Sequence, residues 1–319
     1  MRLTLLAALA AATTAVSAQT YPSKPVHLVI PYAAGGGPDI QARHFGQKLA
    51  GIMGQPAVME NKVGAAGVLA AQYVAQAAPD GYTLLLGSNT HLIQKHLNPD
   101  LKFDPIADFA PITNMVSSPT VLVVRAEHPA KTVQDLVAFA KANPGKMNYG
   151  SGGIGTSAHL AGATFEALNG LKAVHIPLKG SVEIQASLMR GDSDFAFPIS
   201  STAIPGVRSG RLRALGVTSG KRLDALPQAP TLAEALKDPL YVQESWFGFW
   251  APAKTPPEVL RAFHALALNT LADPALVKQF EVTGGTVTTS ESPAAFTAFV
   301  RNEHEKWGRI VKLAAAKGN

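Results

Sequence analysis

The chain has 319 residues, of which 47% are hydrophobic and 16% charged, with no cysteine and a formal net charge of +6. This length predicts two domains, and the composition excludes a disordered chain and a coiled coil. Without cysteine there are no disulfides, thiol nucleophiles, iron–sulfur clusters or cysteine zinc sites. Lysine and arginine are scattered along the chain, which argues against nucleic acid as a partner.

Residues 1–18 have the pattern of a secretory signal peptide. Arg2 supplies a positive charge, residues 3–12 are apolar, and Val16-Ser17-Ala18 is a small-residue cleavage site. The apolar stretch is too short to span the roughly 30 Å hydrocarbon core of a bilayer, which argues against a membrane anchor. The pattern therefore predicts export of the chain to the periplasm.

Strand and helix patterns alternate in the first part of the remaining chain. Short apolar runs predict strands at 26–31, 57–60 and 82–87. Helices are predicted from Pro38 to Gly51 or Gly54, and after residues 64–67 as far as Ala78. Residues 91–115 are polar and interrupted by prolines, so the pattern predicts a break there.

The alternation resumes near residue 120 and continues to the C-terminus. Strands are predicted at 120–125, 147–150, 173–178, 193–197 and 212–217, and helices at 133–142, 156–168 and 182–190. A loop with a short helix at 220–238, an aromatic strand at 246–251 and helices at 256–272 and 293–316 follow. Strands that alternate with helices predict α/β architecture with parallel sheets.

The last two predicted helices suggest how the chain is divided. Their apolar residues, such as Phe263 and Phe296, have no partner within their own segment and need a sheet to pack on. The simplest arrangement returns the chain to its first domain. We therefore expect two lobes joined by crossings near Thr120 and Ser245, with residues 19–121 and 246–319 in lobe 1 and residues 122–245 in lobe 2.

Most catalytic and metal-binding patterns are missing from the sequence. There is no H-E-x-x-H zinc motif, no G-x-S-x-G nucleophile elbow and no P-loop lysine. The nine histidines have no metal-ligand spacing, and the carboxylates are sparse. We therefore expect no metal, no cofactor and no enzymatic activity.

Residues 150–155 match G-x-G-x-x-G between a predicted strand and a predicted helix, which is typical of a dinucleotide site. That site also needs an acidic residue about 20 positions further on, at the end of the next strand. Here the next strand ends at Leu178-Lys179-Gly180. The missing acid argues against a dinucleotide ligand.

Each predicted lobe has a glycine-rich loop in front of a helix, at residues 33–37 and at residues 150–155. Glycine lets the backbone approach a ligand closely, and a helix N-terminus attracts anions, carboxylates included. If the two loops face each other across a cleft, they could hold one small anion. The alternative is that both are ordinary connections between a strand and a helix.

Several segments together resemble the Bug family, the TctC-like periplasmic receptors of tripartite tricarboxylate transporters. The matching segments are residues 31–39 (PYAAGGGPD), 60–61 (EN), 64–67 (GAAG), 78–85 (APDGYTLL), 108–111 (DFAP), 149–160 (YGSGGIGTSAHL), 179–180 (KG), 210–215 (GRLRAL) and 246–248 (WFG). They occur in order along nearly all of the chain after the signal peptide. Each segment is modest alone, but the series is highly specific.

The resemblance implies a two-lobed periplasmic binding protein fold, type II-like, that closes as a Venus flytrap around its ligand. It implies a small organic carboxylate held by backbone N–H groups and water, a monomer, and membrane transporter subunits as partners. The implied ligand-binding residues are Ala33, Gly35, Gly36, Asp39, Gly87, Ser88, Ser151, Gly152, Gly155, Thr156, His159, Lys179, Gly180, Asp194 and Phe197.

The chain departs from the family pattern at two positions. Leu178 stands where the family usually has tyrosine, and Pro198 where it usually has aspartate. We expect the first to widen the pocket and the second to change the discrimination of ligand amines or hydroxyls.

Two other functions stay open at this point. An exported α/β enzyme could use the same cleft, and its turnover would then depend on His159 or Lys179. A sensor could bind the ligand and report it to a signalling system without transport.

Overall fold

The structure of the protein is a computed structural model that describes residues 21–316. The predicted signal peptide, residues 1–18, lies outside the described residues. No helix within the described range is long and apolar enough to cross a membrane.

Strands and helices alternate along most of this range, as the sequence predicts. The strands are β1 (Val26–Ile30), β2 (Ala57–Asn61), β3 (Thr83–Ser88), β4 (Phe109–Ser117), β5 (Val121–Arg125), β6 (Met147–Ser151), β7 (Ala173–Pro177), β8 (Phe195–Ala196), β9 (Leu212–Val217), β10 (Trp246–Pro252) and β11 (Thr286–Val287). The helices are α1 (Gly37–Met53), α2 (Val68–Ala75), α3 (Asn89–Leu97), α4 (Val133–Ala142), α5 (Ser157–Asn169), α6 (Ser181–Arg190), α7 (Ser200–Arg208), α8 (Leu232–Leu236), α9 (Pro257–Leu271), α10 (Pro274–Glu281) and α11 (Pro293–Ala316).

The strands form two sheets, each the centre of one lobe. The first sheet has the order β11-β4-β10-β3-β1-β2, and the second has the order β7-β6-β8-β5-β9. We call the sheet β11-β4-β10-β3-β1-β2 with its helices the first lobe, and the other sheet with its helices the second lobe. The predicted α/β class is therefore observed in both lobes.

The prediction of purely parallel sheets is wrong. β1 runs parallel to β2 and β3, and β6 runs parallel to β7 and β8. In contrast, β10 is antiparallel to β3 and β4, and β5 is antiparallel to β8 and β9. The reason is the direction of entry: β5 and β10 begin where the chain arrives from the other lobe, at the edge where the parallel strands end.

The prediction of a break at residues 91–115 is also wrong, because this stretch contains most of α3 and most of β4. The buried residues of α3 include the polar Asn89, Thr90, His91 and Gln94. Buried polar residues produce no apolar periodicity, so the pattern does not indicate a helix. β4 contains Pro111, which pairs with Trp250 of β10, and proline lowers the expectation of a strand.

Two further helices, α7 and α10, lie where the pattern predicts no element. α7 has Pro205 inside it, and α10 begins at Pro274. Proline within a short pattern favours a loop interpretation, although it is well suited to the first turn of a helix.

Helices cover both faces of each sheet. On one face of the first sheet, Phe45 of α1 and Phe263 of α9 pack against Phe249, and on the other Phe296 of α11 packs against Trp250. The C-terminal helices thus return to the first sheet, as the sequence predicts. In the second lobe, α4 and α5 contribute to one apolar cluster and α6 and α7 to the other.

The chain passes between the sheets twice, and the two crossings run side by side. The N–H of Ser118 donates to the carbonyl of Ser245 at 2.7 Å. On the second-lobe side, the N–H of Gln243 donates to the carbonyl of Thr218 at 3.0 Å, and the N–H of Thr218 donates to the carbonyl of Thr120 at 3.0 Å. These backbone bonds tie the crossings to each other, and loops and helix starts of the two lobes face one another across a cleft.

Candidate functional site

The cleft between the lobes contains two adjoining cavities. The larger has a volume of about 730 Å³ and the smaller about 70 Å³. Both are lined by Tyr32, Gly152, Thr156, Gly180 and Ser181, so these residues form the junction between the cavities. Tyr32 belongs to the first lobe and the other four belong to the second.

Five helices begin at this cleft. They are α1, α3, α5, α6 and α7, with the N-cap residues Gly36, Ser88, Thr156, Gly180 and Ile199. A helix start has unpaired N–H groups and a partial positive charge, so several starts that point at one space favour an anion there. Among the described residues, α1 and α6 have no side-chain hydrogen bond at their N-caps, so N–H groups of their first turns, apart from Pro38, stay available, whereas the N–H of Ser200 at the start of α7 donates to the carbonyl of Pro119 at 2.7 Å.

The charge of the lining agrees with an anion site. Within the part of the chain that the structure describes, Lys179 is the one charged side chain on either cavity, and no aspartate or glutamate lines them. Over the same residues, no group of three or more histidines and carboxylates could hold a metal ion.

Asp39 shapes the first glycine-rich loop from behind the cavities. Its carboxylate is buried and accepts hydrogen bonds from the Gly35 N–H at 2.9 Å, Arg43 Nε at 2.8 Å and Asn61 Nδ2 at 2.8 Å. Burial alone would raise the pKa of Asp39, but these donors outweigh it and hold the pKa below its usual value. The ionised carboxylate therefore braces the loop that leads into α1.

Tyr32 lines both cavities. The hydroxyl lies 2.7 Å from Oγ of Ser88, and the ring packs edge-on against Phe247. Burial raises the pKa of Tyr32 to about 12, so the hydroxyl keeps its proton and can donate to an anion. Ser88 in turn caps α3 by accepting from the N–H of Thr90 at 3.1 Å.

The loop between β6 and α5 is held by a group of buried polar side chains. Thr156 Oγ1 donates to the carbonyl of Gly153 at 2.8 Å, and Nδ1 of His159 accepts from the N–H of Gly155 at 3.2 Å. Oγ of Ser151 lies 2.7 Å from Nε2 of His175. Burial, and then the neighbouring His175, lower the pKa of His159 to about 4, so its ring is neutral and serves as an acceptor for the loop.

A strained segment of the first lobe lines the larger cavity. Residues 64–67 have consecutive φ angles of 146°, 46°, 50° and 91°. Ala65 and Ala66 are thus in the left-handed region, which alanine rarely adopts. Strain of this kind concentrates at ligand sites, where the surrounding structure maintains it.

The structure brings seven of the fifteen implied site residues to the cleft surface. Ala33, Gly152, Thr156, Lys179 and Gly180 line the two cavities, and Gly87 and Ser88 line a small adjoining space of about 10 Å³ beneath Tyr32. Gly36 lies where the lobes meet, because a Cβ placed on it would be 2.8 Å from Oγ of Ser181.

The other seven residues do not line these cavities. Gly35, Asp39, Ser151, Gly155 and His159 take part in the loop contacts described above. Asp194 accepts from the N–H of Asn148 at 2.8 Å, and Phe197 is fully buried between Phe165 and Phe195. Leu178 and Pro198, where the chain departs from the family pattern, line the larger and the smaller cavity respectively.

Several lining residues are not indicated by the sequence. Thr90, Ser157, Ser181, Ser245 and Phe247 line the smaller cavity and come from separate segments. Oγ of Ser157 and Oγ of Ser245 each lie 3.2 Å from Oδ1 of Asn89, which joins both lobes and a crossing. The sequence feature that could have identified some of them is their place at helix starts, because Thr90, Ser157 and Ser181 are in the first turns of helices.

The chain matches the family described as the tripartite tricarboxylate transporter family receptor over residues 41–315. A UPF0065 protein of Bordetella pertussis is 36% identical over 314 residues, which cover 98% of this chain and 95% of that protein. Protein BugT of the same organism is 32% identical over 304 residues, covering 95% of this chain and 93% of BugT.

Solved structures agree with this relationship. The periplasmic binding protein BugD has a TM-score of 0.88 at 30% identity, covering 93% of this chain and 99% of that chain. R. palustris Rpa4515 with adipate has a TM-score of 0.88 at 30% identity, with coverages of 92% and 98%. MatC from Rhodopseudomonas palustris with bound malate has a TM-score of 0.86 at 27% identity, with coverages of 91% and 100%.

The fold and the cleft define a solute-binding protein of the periplasmic type. The chain belongs to the tripartite tricarboxylate transporter receptor family, the family of the Bug proteins. The family and the two-lobed fold predicted from the sequence are both confirmed.

Proposed function

We propose that the chain is a monomeric periplasmic receptor that captures a small organic carboxylate and presents it to the membrane subunits of a tripartite tricarboxylate-type transporter. Residues 19–121 with 246–319 and residues 122–245 would form the two lobes that close on the ligand. The convergence of five helix N-termini on a cleft without acidic lining carries the proposal. Solved relatives with adipate and malate support the ligand class.

The carboxylate would sit at the junction of the two cavities. There it would accept hydrogen bonds from backbone N–H groups at the starts of α1 and α6 and from the hydroxyls of Tyr32 and Ser181. A hydrogen bond to a charged group contributes about 1.5–3 kcal/mol. About four to six of them, less the costs of association, leave about −8 kcal/mol, or micromolar affinity, which allows release to the transporter.

We propose binding without catalysis. His159 lies behind the loop, where its Nδ1 is occupied by the N–H of Gly155. Lys179 is exposed to solvent. An enzyme that used this cleft would need His159 or Lys179 as a general acid or base. Neither residue has the position of a buried acid or base.

The ligand class is tested by a thermal-shift screen of di- and tricarboxylates, acidic amino acids and aromatic acids, each beside its neutral amide. A ligand at 100 times its Kd adds about 2.7 kcal/mol of stability. We expect at least one acid to raise the melting temperature while its amide does not. If no carboxylate raises it, the proposal is wrong.

Delivery to a transporter is tested in cells that express the membrane subunits with or without the receptor. We expect uptake of the carboxylate found in the screen to require the receptor. If uptake is the same without the receptor but transcription responds to the carboxylate through it, the chain is a ligand sensor and not a transport receptor.

A further inference from the structure

We propose that the ligand is a monocarboxylate with an aromatic or aliphatic body, and not a compact dicarboxylate. This inference rests on the proposed function and adds the shape and polarity of the rest of the ligand. It follows from the contrast between the junction of the cavities and the larger cavity beside it.

The smaller cavity combines hydroxyl-bearing side chains with apolar ones such as Ile184, Pro198 and Phe247. Hydroxyl-bearing side chains from both lobes and from a crossing line the smaller cavity: Tyr32, Thr90, Thr156, Ser157, Ser181 and Ser245. The helix starts also converge here. The N–H groups at the starts of α1 and α6 would bind one carboxylate here, and the volume of about 70 Å³ leaves little space for more of the ligand.

The larger cavity differs in size and has room for the rest of a ligand. Its volume of about 730 Å³ is within the range of about 300–1,000 Å³ typical of small-molecule pockets. Apolar side chains approach it from both lobes: Val63 and Val68 from the segment after β2, Leu97 from α3, and Ile154 and Leu178 from the second lobe. Val63 is 44% exposed and Ile154 57% exposed, so a ligand body would cover apolar surface that now faces water.

The polar groups of the larger cavity are already engaged or exposed. Nε2 of Gln94 donates to the carbonyl of Ile154 at 2.9 Å, and Oδ1 of Asn98 accepts from the N–H of Asp100 at 3.2 Å. Lys179 is exposed, so water and salt weaken its attraction for a second carboxylate. The backbone N–H of Lys179 donates to Glu183, whose negative charge disfavours a carboxylate nearby.

A second ligand charge therefore has no good partner in this cavity. A carboxylate moved from water to an apolar surface loses hydration that is not replaced. An ammonium group on the ligand would also lack a partner in this cavity, because none of the lining residues described is acidic. An apolar body gains affinity from the same surface, by about threefold to fourfold for each methylene buried.

The test compares the affinities of acetate, butanoate, hexanoate, phenylacetate, phenylacetamide and succinate by isothermal titration calorimetry. We expect affinity to rise from acetate to hexanoate by about threefold to fourfold per methylene. Phenylacetate should bind at least about tenfold more tightly than succinate. Phenylacetamide should not bind measurably.

The variant Ile154→Asn tests the contact directly, because an exposed side chain can be changed with little effect on folding. We expect it to weaken hexanoate and phenylacetate at least about fivefold and to leave acetate unchanged. Leu240→Asn is the matched control: Leu240 is 49% exposed and lies outside the cleft lining, so its affinities should equal those of the wild type.

The outcomes separate this inference from the proposed function. If succinate binds more tightly than phenylacetate, or if Ile154→Asn leaves phenylacetate unaffected, the inference is wrong while carboxylate binding stands. If phenylacetamide binds as well as phenylacetate, or if no carboxylate binds, the carboxylate receptor itself is wrong.

Discussion

Gly37, the first residue of α1, lies against the second lobe. A Cβ placed there would be 2.9 Å from the backbone carbonyl carbon of Ser201 in α7, so even alanine would press on the other lobe. Gly37 is therefore required by the close approach of the lobes, whereas Gly35, with φ of 76° and no described atom within 4 Å of a placed Cβ, is required by the geometry of the turn.

We predict that Gly37→Ala weakens binding of the carboxylate by about tenfold to a hundredfold, because overpacking costs about 1–3 kcal/mol in the closed arrangement. Calorimetric titration of the best acid from the screen measures this. The control is Gly51→Ala in the same helix, where no described atom lies within 4 Å of the new Cβ. Equal affinities for Gly37→Ala and Gly51→Ala would contradict the role of Gly37 in closure.

At the scale of single elements, α3 shows why a buried polar helix is difficult to predict. Its start is fixed by a capping box: Ser88 Oγ accepts from the N–H of Thr90, and Nδ1 of His91 accepts from the N–H of Ser88 at 3.2 Å. The ring of His91 then packs against Trp250 at 4.7 Å. Histidine is an unusual third residue of a capping box, so the sequence signal for this helix is weak.

His91 also makes folding stability dependent on pH. Burial, and to a smaller extent the charge of His304, lower the pKa of His91 to about 3 from an ordinary value of 6.5. Between these values the unfolded chain binds a proton that the folded protein does not. Stability must therefore fall as pH decreases below 6.5, by up to about 1.4 kcal/mol per pH unit from this residue.

We predict that His91→Gln reduces this loss, because glutamine can keep the capping box but does not titrate. Urea unfolding at pH 7, 6 and 5 should show a shallower decline for His91→Gln than for the wild type. His27→Gln, which removes an exposed ring from β1, is the control and should decline as the wild type does. The same slope in His91→Gln and the wild type would show that His91 does not contribute.

For the whole molecule, the relation between the lobes has the greatest influence on function. Their facing surfaces are in contact beside the cavities, through Gln94 and Ile154, and through a cluster in which Ile93 and Trp307 of the first lobe pack with Leu160 of the second. Because the crossings are short and hydrogen-bonded to each other, we expect the lobes to open by rotation about them.

A disulfide across the cleft should lock the closed arrangement. The Cβ of Ala33 lies 3.8 Å from a Cβ placed on Gly180, which is within the disulfide range of about 3.5–4.5 Å. Because Gly180 has φ of 132°, a cysteine there strains the backbone, and the single variant Gly180→Cys measures that effect separately. The chain has no cysteine of its own, so the double variant Ala33→Cys/Gly180→Cys has a single thiol pair.

We predict that the oxidised double variant retains carboxylate bound before oxidation and excludes carboxylate added afterwards, and that reduction restores exchange. Equilibrium dialysis of the labelled acid measures both. The single variants Ala33→Cys and Gly180→Cys should exchange ligand under all conditions. Free exchange in the oxidised double variant would show that the cleft does not need to open.

The sequence by itself is sufficient for the features that depend on short-range interactions along the chain. Some features depend only on residues that are neighbours in the chain. These are the alternation of strands and helices, the glycine-rich loops before Pro38 and Thr156, and the family motifs, and all of them can be identified without coordinates. Residues of those motifs, such as Ala33, Gly152 and Gly180, line the cleft in the structure.

Only the tertiary structure shows which of these helix starts and loops lie together at the cleft. The starts of α3, α6 and α7 join those of α1 and α5 only because two sheets orient them toward one cleft. The larger cavity brings Val63 and Leu97 of the first lobe together with Ile154 and Leu178 of the second, residues that are far apart in the chain. Helix dipoles are set locally, but the direction in which helices point and the surfaces that face each other depend on long-range packing, which a pattern in one sequence does not record.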